Sequence, residues 1–247
     1  MSASAETSVG HHGLMTADRL AAAAGLLADR TRAAMCLALL DQRAWTIGEL
    51  ARHAGVAPST ASEHVAKLVD GGMLTAVHQG RSRYVRLAGP QVAGLIEDLG
   101  AVVSPEPVVV RSLREASAMK AMARARTCYD HLAGRLGVQI TEAMTRARFI
   151  DQSAGFALTG AGLDWLAGAL DIDVDALRAA KRPLVRSCID WTERRPHLAG
   201  GAGAALCRQF FARGWIKRTG TTRAVVVTRS GEQALSSLVG VDLTNVA

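Results

Sequence analysis

Apolar residues recur at helical spacing in the first third of the chain and then give way to a hairpin. Ile47, Leu50 and Ala51 stand at i, i+3 and i+4, which predicts a short helix with one apolar stripe. Gly55 falls where the chain must turn sharply, and Pro58 suits the first position of a following helix, where no N–H is needed. Ala61, Val65, Leu68 and Val69 give that second helix one buried face, and Gly71-Gly72 ends it. Ala57 stands where a better N-capping residue would be expected. Val77 to Leu87 reads as a hairpin with Gly80 at its tip and Arg81, Arg83 and Arg86 around it. The predicted order is helix, tight turn, helix, basic wing.

The exposed face of the second helix carries short polar groups and a cation, Ser59, Thr60, Ser62, Glu63 and Lys67. Such a face, followed by a basic wing, suits a helix laid in the major groove of duplex DNA, with polar tips at base edges and cations at phosphates. The expected DNA-facing set is Pro58, Ser59, Thr60, Ser62, Glu63, His64, Lys67, Arg81, Arg83 and Tyr84. Within it, Ser59, Thr60, Ser62 and Glu63 meet bases, while His64, Lys67, Arg81, Arg83 and Tyr84 hold phosphates or the minor groove.

Several local strings carry a family resemblance. They are Leu27-Ala28-Asp29-Arg30-Thr31-Arg32 followed by Leu37-Ala38-Leu39-Leu40, then Gly48-Glu49-Leu50-Ala51, Ser62-Glu63-His64-Val65-Ala66-Lys67-Leu68 and Gly80-Arg81-Ser82-Arg83-Tyr84. Over roughly residues 18–100 the chain resembles the ArsR/SmtB winged-helix repressors. The resemblance implies a homodimer that holds operator DNA until an inducer arrives. It also implies a dimer interface made by flanking helices, here about Ala17–Ala28 and Gln91–Leu99. Two metal sites common in that family have no counterpart. The first helix of the pair reads Gly48-Glu49-Leu50-Ala51-Arg52-His53, without a thiol, and Val92 to Leu99 contains no His.

Composition narrows the remainder. A chain of 247 residues can bury more than one core. No apolar run approaches the ~18 residues of a membrane helix, and the first fifteen residues lack a signal-peptide layout, so residues 1–16 read as a disordered tail. Four widely spaced cysteines do not form a secreted disulfide framework. A cytoplasmic protein is expected, with no membrane partner. The net charge of +7 suits a polyanion. Residues 1–100 carry 9 Lys/Arg against 9 Asp/Glu, so the whole excess lies in the second half.

Ser104-Pro105-Glu106-Pro107 marks a linker over 104–110 between a domain at 17–103 and another at 111–247. A long helix is predicted over about Arg111 to Leu136. The chain then repeats itself. His131-Leu132-Ala133-Gly134 and Gly137 recur as His197-Leu198-Ala199-Gly200 and Gly203, and Ile140, Met144 and Phe149-Ile150 recur as Leu206, Phe210 and Trp215-Ile216. Leu158-Thr159-Gly160-Ala161-Gly162 corresponds to Val227-Thr228-Arg229-Ser230-Gly231. Duplicated units of this kind stack on one another. Each unit, about 128–170 and 194–240, is expected as helix, helix, hairpin return and closing helix, again winged-helix-like. The expected fold class is mostly α with small β-hairpin wings (α+β): an N-terminal winged helix-turn-helix plus a C-terminal domain of two winged-helix-like repeats.

Candidate chemistry gathers at the repeated motif. Cys128 and His131 would share one helical face at i, i+3, and Cys188, Asp190 and His197 stand close together in the second copy. Thiol, imidazole and carboxylate form a ligand set for zinc or another borderline metal ion. The repeat would bring His131 and His197 face to face. Two other readings stand beside it: a small-molecule or oxidant pocket lined by Trp165, Trp191, Cys128 and Cys188, and plain core packing. Thiol sensing would need a lowered thiolate pKa, with Arg126 or Arg186 as the nearby charge. No phosphate loop, nucleophile elbow or His-Glu-x-x-His run is present, so no enzyme is expected. The expected function is a sequence-specific transcriptional regulator, a homodimeric repressor released by an unidentified inducer sensed in the C-terminal domain. The alternatives are a non-specific architectural DNA binder, or a metal or thiol-redox sensor using Cys128, His131, Cys188 and His197.

Overall fold

The structure, a computed structural model, describes residues 16–79, 82–103, 112–153, 155–220 and 222–241. The expected tail up to residue 15, the wing tip at Gly80 and Arg81, and the expected linker lie outside the described residues. The chain forms two compact units, one of residues 1–38 and 44–88, the other of residues 39–43 and 89–247.

The first unit runs α1 (Ala17–Leu27), α2 (Arg30–Ala38), β1 (Trp45–Thr46), α3 (Ile47–Ala54), α4 (Pro58–Asp70), β2 (Leu74–Gln79) and β3 (Ser82–Leu87). The three strands form one antiparallel sheet in the order β1-β3-β2. Thr46 starts α3 with a capping box: its side chain accepts from the Glu49 N–H at 3.3 Å, and the Glu49 carboxylate accepts from the Thr46 N–H at 2.7 Å. Gly55 closes α3 at φ 69°, in the left-handed region that glycine enters without penalty. Leu50, Ala51, Ala61, Val65 and Leu68 are buried together with Leu74, Val85 and Leu87 of the sheet. The wing begins three residues earlier than the sequence pattern suggests, because Leu74 pairs with Leu87 and both are buried.

The second unit opens with a 3-10 turn (Leu39–Asp41) and α5 (Pro90–Val102). By its contacts α5 belongs here, although the sequence reading placed it in the first domain. Then follow α6 (Leu113–Arg124), β4 (Arg126–Cys128), β5 (His131–Ala133), α7 (Gly134–Arg146), β6 (Ile150–Asp151), β7 (Ala157–Leu158) and α8 (Gly160–Leu170). The chain continues through α9 (Val174–Ala179), β8 (Arg186–Ile189), β9 (Pro196–Ala199), α10 (Gly200–Ala212), β10 (Ile216–Arg218), β11 (Val225–Val227) and α11 (Arg229–Val239).

The single helix predicted from Arg111 to Leu136 is therefore corrected: it ends at Arg124, and Ala125 is already extended at φ −157°, ψ 130°. The duplication is present as β4-β5-α7-β6-β7-α8 and β8-β9-α10-β10-β11-α11. Each copy keeps a helix, a return hairpin and a closing helix, but opens on a hairpin where a helix was expected. The repeated Leu-Ala-Gly string ends a strand and starts a helix. Gly134 and Gly200 hold φ of 72° and 83°, and a Cβ on either would lie 2.8 Å from backbone, against Ala123 O and Arg186 N respectively. Leu136, Ile140, Met144 and Leu166 of the first copy share one core with Leu206, Phe210, Ile216 and Leu235 of the second, so neither copy buries its apolar face alone.

Candidate functional site

Helix α4 buries Ala61, Val65 and Leu68 and turns its other side outward. Pro58, Ser59, Glu63 and Lys67 are exposed, and Thr60 and Ser62 are half-buried. Ala57 makes no side-chain capping bond, so no side chain from the cap occupies the first-turn N–H groups, which are the groups a helix offers to phosphate. Arg83 and Tyr84 are half-buried on β3, and Arg86 beside them is exposed. Arg81 lies outside the described residues. His64 is half-buried, with Nδ1 3.7 Å from Asp29 Oδ1, and so leans on the unit's own α1–α2 corner.

In the second unit, β4 and β5 are joined by Tyr129 and Asp130, and Cys128 pairs directly across from His131. The second copy repeats this: Cys188 on β8 pairs across from His197 on β9. The i, i+3 helical arrangement expected for Cys128 and His131 is thus replaced by a cross-strand pair. The two hairpins bring all four side chains together, with one ligand atom from each within 4.8 Å of the others, and all four residues are buried. The two Nε2 atoms of His131 and His197 are 3.2 Å apart, and the rings stack with centroids 5.0 Å apart. Each histidine lies against the other copy's helix at a glycine. A Cβ on Gly203 of α10 would come 3.3 Å from the His131 Cβ, and one on Gly137 of α7 would come 3.8 Å from that of His197.

Asp190 has a different place from the one its sequence position suggested. Its buried carboxylate accepts from Arg126 Nη2 at 2.7 Å and from the Gly134 N–H at 2.6 Å, and it is not among the four clustered groups. Trp191 lies beneath the Arg126 guanidinium, 4.5 Å from ring centroid to charge, and Trp165 stacks on Phe149 at 5.1 Å. Arg186 pairs with Asp98 at 3.2 Å.

Three further residues support the cluster, and of these Glu97 and Arg182 carry no signal in the sequence. Asp130 Oδ1 stands 3.4 Å from His131 Nδ1 and is itself held by Arg182. Glu97 of α5 is buried beside Cys128, with Arg223 4.0 Å away. The only local signal was Asp130 immediately before His131; Glu97 and Arg182 arrive through folding alone. An open cleft of about 310 Å³ borders Glu97, Asp98, Asp130, His131, Arg182 and Arg186, so that of the four clustered residues His131 lines it.

The cluster redistributes protons. The hydrogen bond between the sulfurs raises the Cys128 pKa, burial adding to it, and lowers that of Cys188, where both imidazoles also favour thiolate. Burial acts to lower the His131 pKa, but hydrogen bonds from its ring to Asp130 and Cys188 outweigh it and raise it to about 9. Burial lowers that of His197. The other two thiols contrast with this. Burial pushes Cys36 up to about 11 and Cys207 to about 12, the behaviour of small buried hydrophobes.

Residues 27–77 match the family described as a helix-turn-helix domain. Over 225 residues the chain is 36% identical to the uncharacterized HTH-type transcriptional regulator YdfF of Bacillus subtilis (strain 168), a match covering 91% of this chain and 98% of that protein. Among solved structures, a homodimeric winged helix-turn-helix DNA-binding domain from Mycobacterium bovis, described as a possible ArsR-family transcriptional regulator, is 30% identical. It covers 34% of this chain and 78% of its own, with a TM-score of 0.32. The cadmium metal-sensor CMTR of Mycobacterium tuberculosis is also 30% identical, covering 37% of this chain and 99% of its own, with a TM-score of 0.28. Because the likeness to the Bacillus regulator spans both units and nearly the whole of each protein, the chain belongs to the helix-turn-helix-type transcriptional regulators, which bind DNA.

Proposed function

We propose that this regulator is an ArsR-type homodimeric repressor that reads a pseudo-palindromic operator through α4 and lets go when its second unit receives an inducer. The observation that carries the reading is the face of α4. Ser59, Glu63 and Lys67 stand exposed, flanked by Thr60 and Ser62, on a helix anchored by three buried apolar residues. Two such helices in a two-fold dimer reach successive major grooves. Unpartnered apolar surface supports the dimer: α1 buries none of its residues and leaves Leu20 58% exposed, and α5 leaves Leu95 and Leu99 43% and 46% exposed. Such a repressor works in the cytoplasm. No helix among the described residues is long and apolar enough to cross a membrane.

An electrophoretic shift titration against the operator and a scrambled duplex tests the reading. Thr60→Ala with Ser62→Ala is expected to cut the preference for operator about tenfold while leaving scrambled-duplex binding in place. Arg83→Ala is expected to weaken both duplexes alike and to reduce the salt slope by about 1. Flat, salt-sensitive binding to every duplex by the wild type would instead identify an architectural DNA binder.

A further inference from the structure

We propose that Cys128, His131, Cys188 and His197 form a closed tetrahedral site for one zinc-class metal ion, with a Cys-His pair donated by each copy of the repeated hairpin. This inference stands independently of the operator reading. Two sulfurs and two imidazole nitrogens are the donor set that zinc and similar borderline ions select. The spacing fits as well. Metal–nitrogen bonds of ~2.05 Å at the tetrahedral angle place two nitrogens about 3.3 Å apart, and the two Nε2 atoms stand at 3.2 Å.

The repeat supplies the second line of argument. The first hairpin turns through Tyr129 and Asp130, while the second runs through a much longer connection from Ile189 to Pro196. The residue before the histidine is Asp130 in one copy and Pro196 in the other. Through these differences both copies keep Cys directly opposite His. Plain core packing asks only for small apolar side chains at such positions, as Ala133 and Ala199 show beside the two sulfurs.

Charge and proton balance complete the case. Asp130 stands at Nδ1 of His131, which leaves Nε2 as the donor aimed at the other ligands, the carboxylate–histidine support usual around metal ligands. A dication would convert the site to two thiolates and two neutral imidazoles, with no net charge and every donor atom used. Binding then releases to solvent whatever protons the donor atoms carried. With four protein ligands and no open position, the site is of the structural or sensing type rather than catalytic. Of the four ligands, His131 borders an open cleft.

The test uses the full chain, reduced and stripped by a chelator, then titrated with cobalt(II) and zinc(II). One equivalent of cobalt is expected to give the intense ligand-field bands of a tetrahedral ion and a thiolate charge-transfer band, both abolished by one equivalent of zinc. Zinc should remain bound through gel filtration. Cys188→Ser and His197→Asn should each weaken zinc retention at least about tenfold, and only Cys188→Ser should diminish the charge-transfer band. A weak octahedral cobalt spectrum, or zinc lost on gel filtration of the wild type, would overturn the proposal. So would Cys128→Ser and Cys188→Ser proteins that bind as the wild type does. The wild-type spectrum decides the matter even if a variant fails to fold.

Discussion

Replacing Asp190 by Asn is expected to remove about 3–5 kcal/mol from the stability of the second unit, the range found when one partner of a buried ion pair is lost. The Asp190 and Arg126 side chains are both fully buried, 2.7 Å apart. Arg126 sits on β4 in the first copy and Asp190 directly after β8 in the second, so the pair stitches the repeats together. The carboxylate serves five donors. Oδ2 accepts from Arg126 and from the N–H of Gly134, and Oδ1 accepts from the N–H and hydroxyl of Thr192 and from the N–H of Glu193. An amide places its NH2 against donors whichever way it is turned, and Arg126 keeps a buried charge without a counter-ion. Urea unfolding followed by tryptophan fluorescence should show a lower midpoint at unchanged slope, with Trp191 stacked on Arg126 as a local reporter. A loss below about 1 kcal/mol, the size of an exposed pair, would contradict this account.

The same residue predicts a pH signature. Burial acts to raise the Asp190 pKa, but Arg126 and hydrogen bonds from Thr192, Glu193 and Gly134 outweigh it and lower it from 3.8 to about 2. A depressed carboxylate pKa gives stability that is complete above the ordinary value and lost as pH falls through the folded one. The wild type should lose this contribution between about pH 4 and pH 2, and Asp190→Asn should lack that part of the acid transition.

The first unit was legible because its signals are local. The apolar stripes, Gly55 and Pro58 all lie within one or two turns of what they determine. The duplication was legible as a spacing, and the 66-residue offset foretold that His131 and His197 would meet. Its conformation was not. Leu and Ala after a histidine favour helix by intrinsic propensity, yet strand pairing and a left-handed glycine decide the string. Asp190 misled for the opposite reason. An acid near Cys188 and His197 in sequence looks like a third ligand, while the cation that claims it lies 64 residues away. Glu97 gave no sign at all, since its surroundings, Cys128 and Arg223, are assembled only by the fold.

The repeat also makes a glycine indispensable where an alanine would ordinarily help, and Gly231→Ala is expected to cost about 3 kcal/mol, at the upper end for overpacking. Gly231 lies in the first turn of α11, after Thr228, whose hydroxyl accepts from the Gly231 N–H at 3.1 Å. The Thr228 N–H in turn donates to the Trp215 carbonyl at 2.9 Å, which pulls the helix start down onto that backbone. A Cβ on Gly231 would fall 2.1 Å from the same carbonyl oxygen, with two further Trp215 backbone atoms within 3.0 Å. The first copy repeats the device: a Cβ on Gly162 would lie 2.2 Å from the Phe149 oxygen, and Thr159 caps α8 in the same way. No flexible side chain can move aside, so the helix must lift from the core and take Leu235 with it. Gly168 is the control, a helical glycine in α8 with nothing within 4 Å of the added Cβ. There Ala should stabilise by up to about 1 kcal/mol through helix propensity alone. Thermal unfolding should therefore show Gly231→Ala melting roughly 6–10 °C lower and Gly168→Ala melting at or above the wild type. Equal shifts in the two variants would mean that the glycines serve chain flexibility rather than close docking of the closing helices.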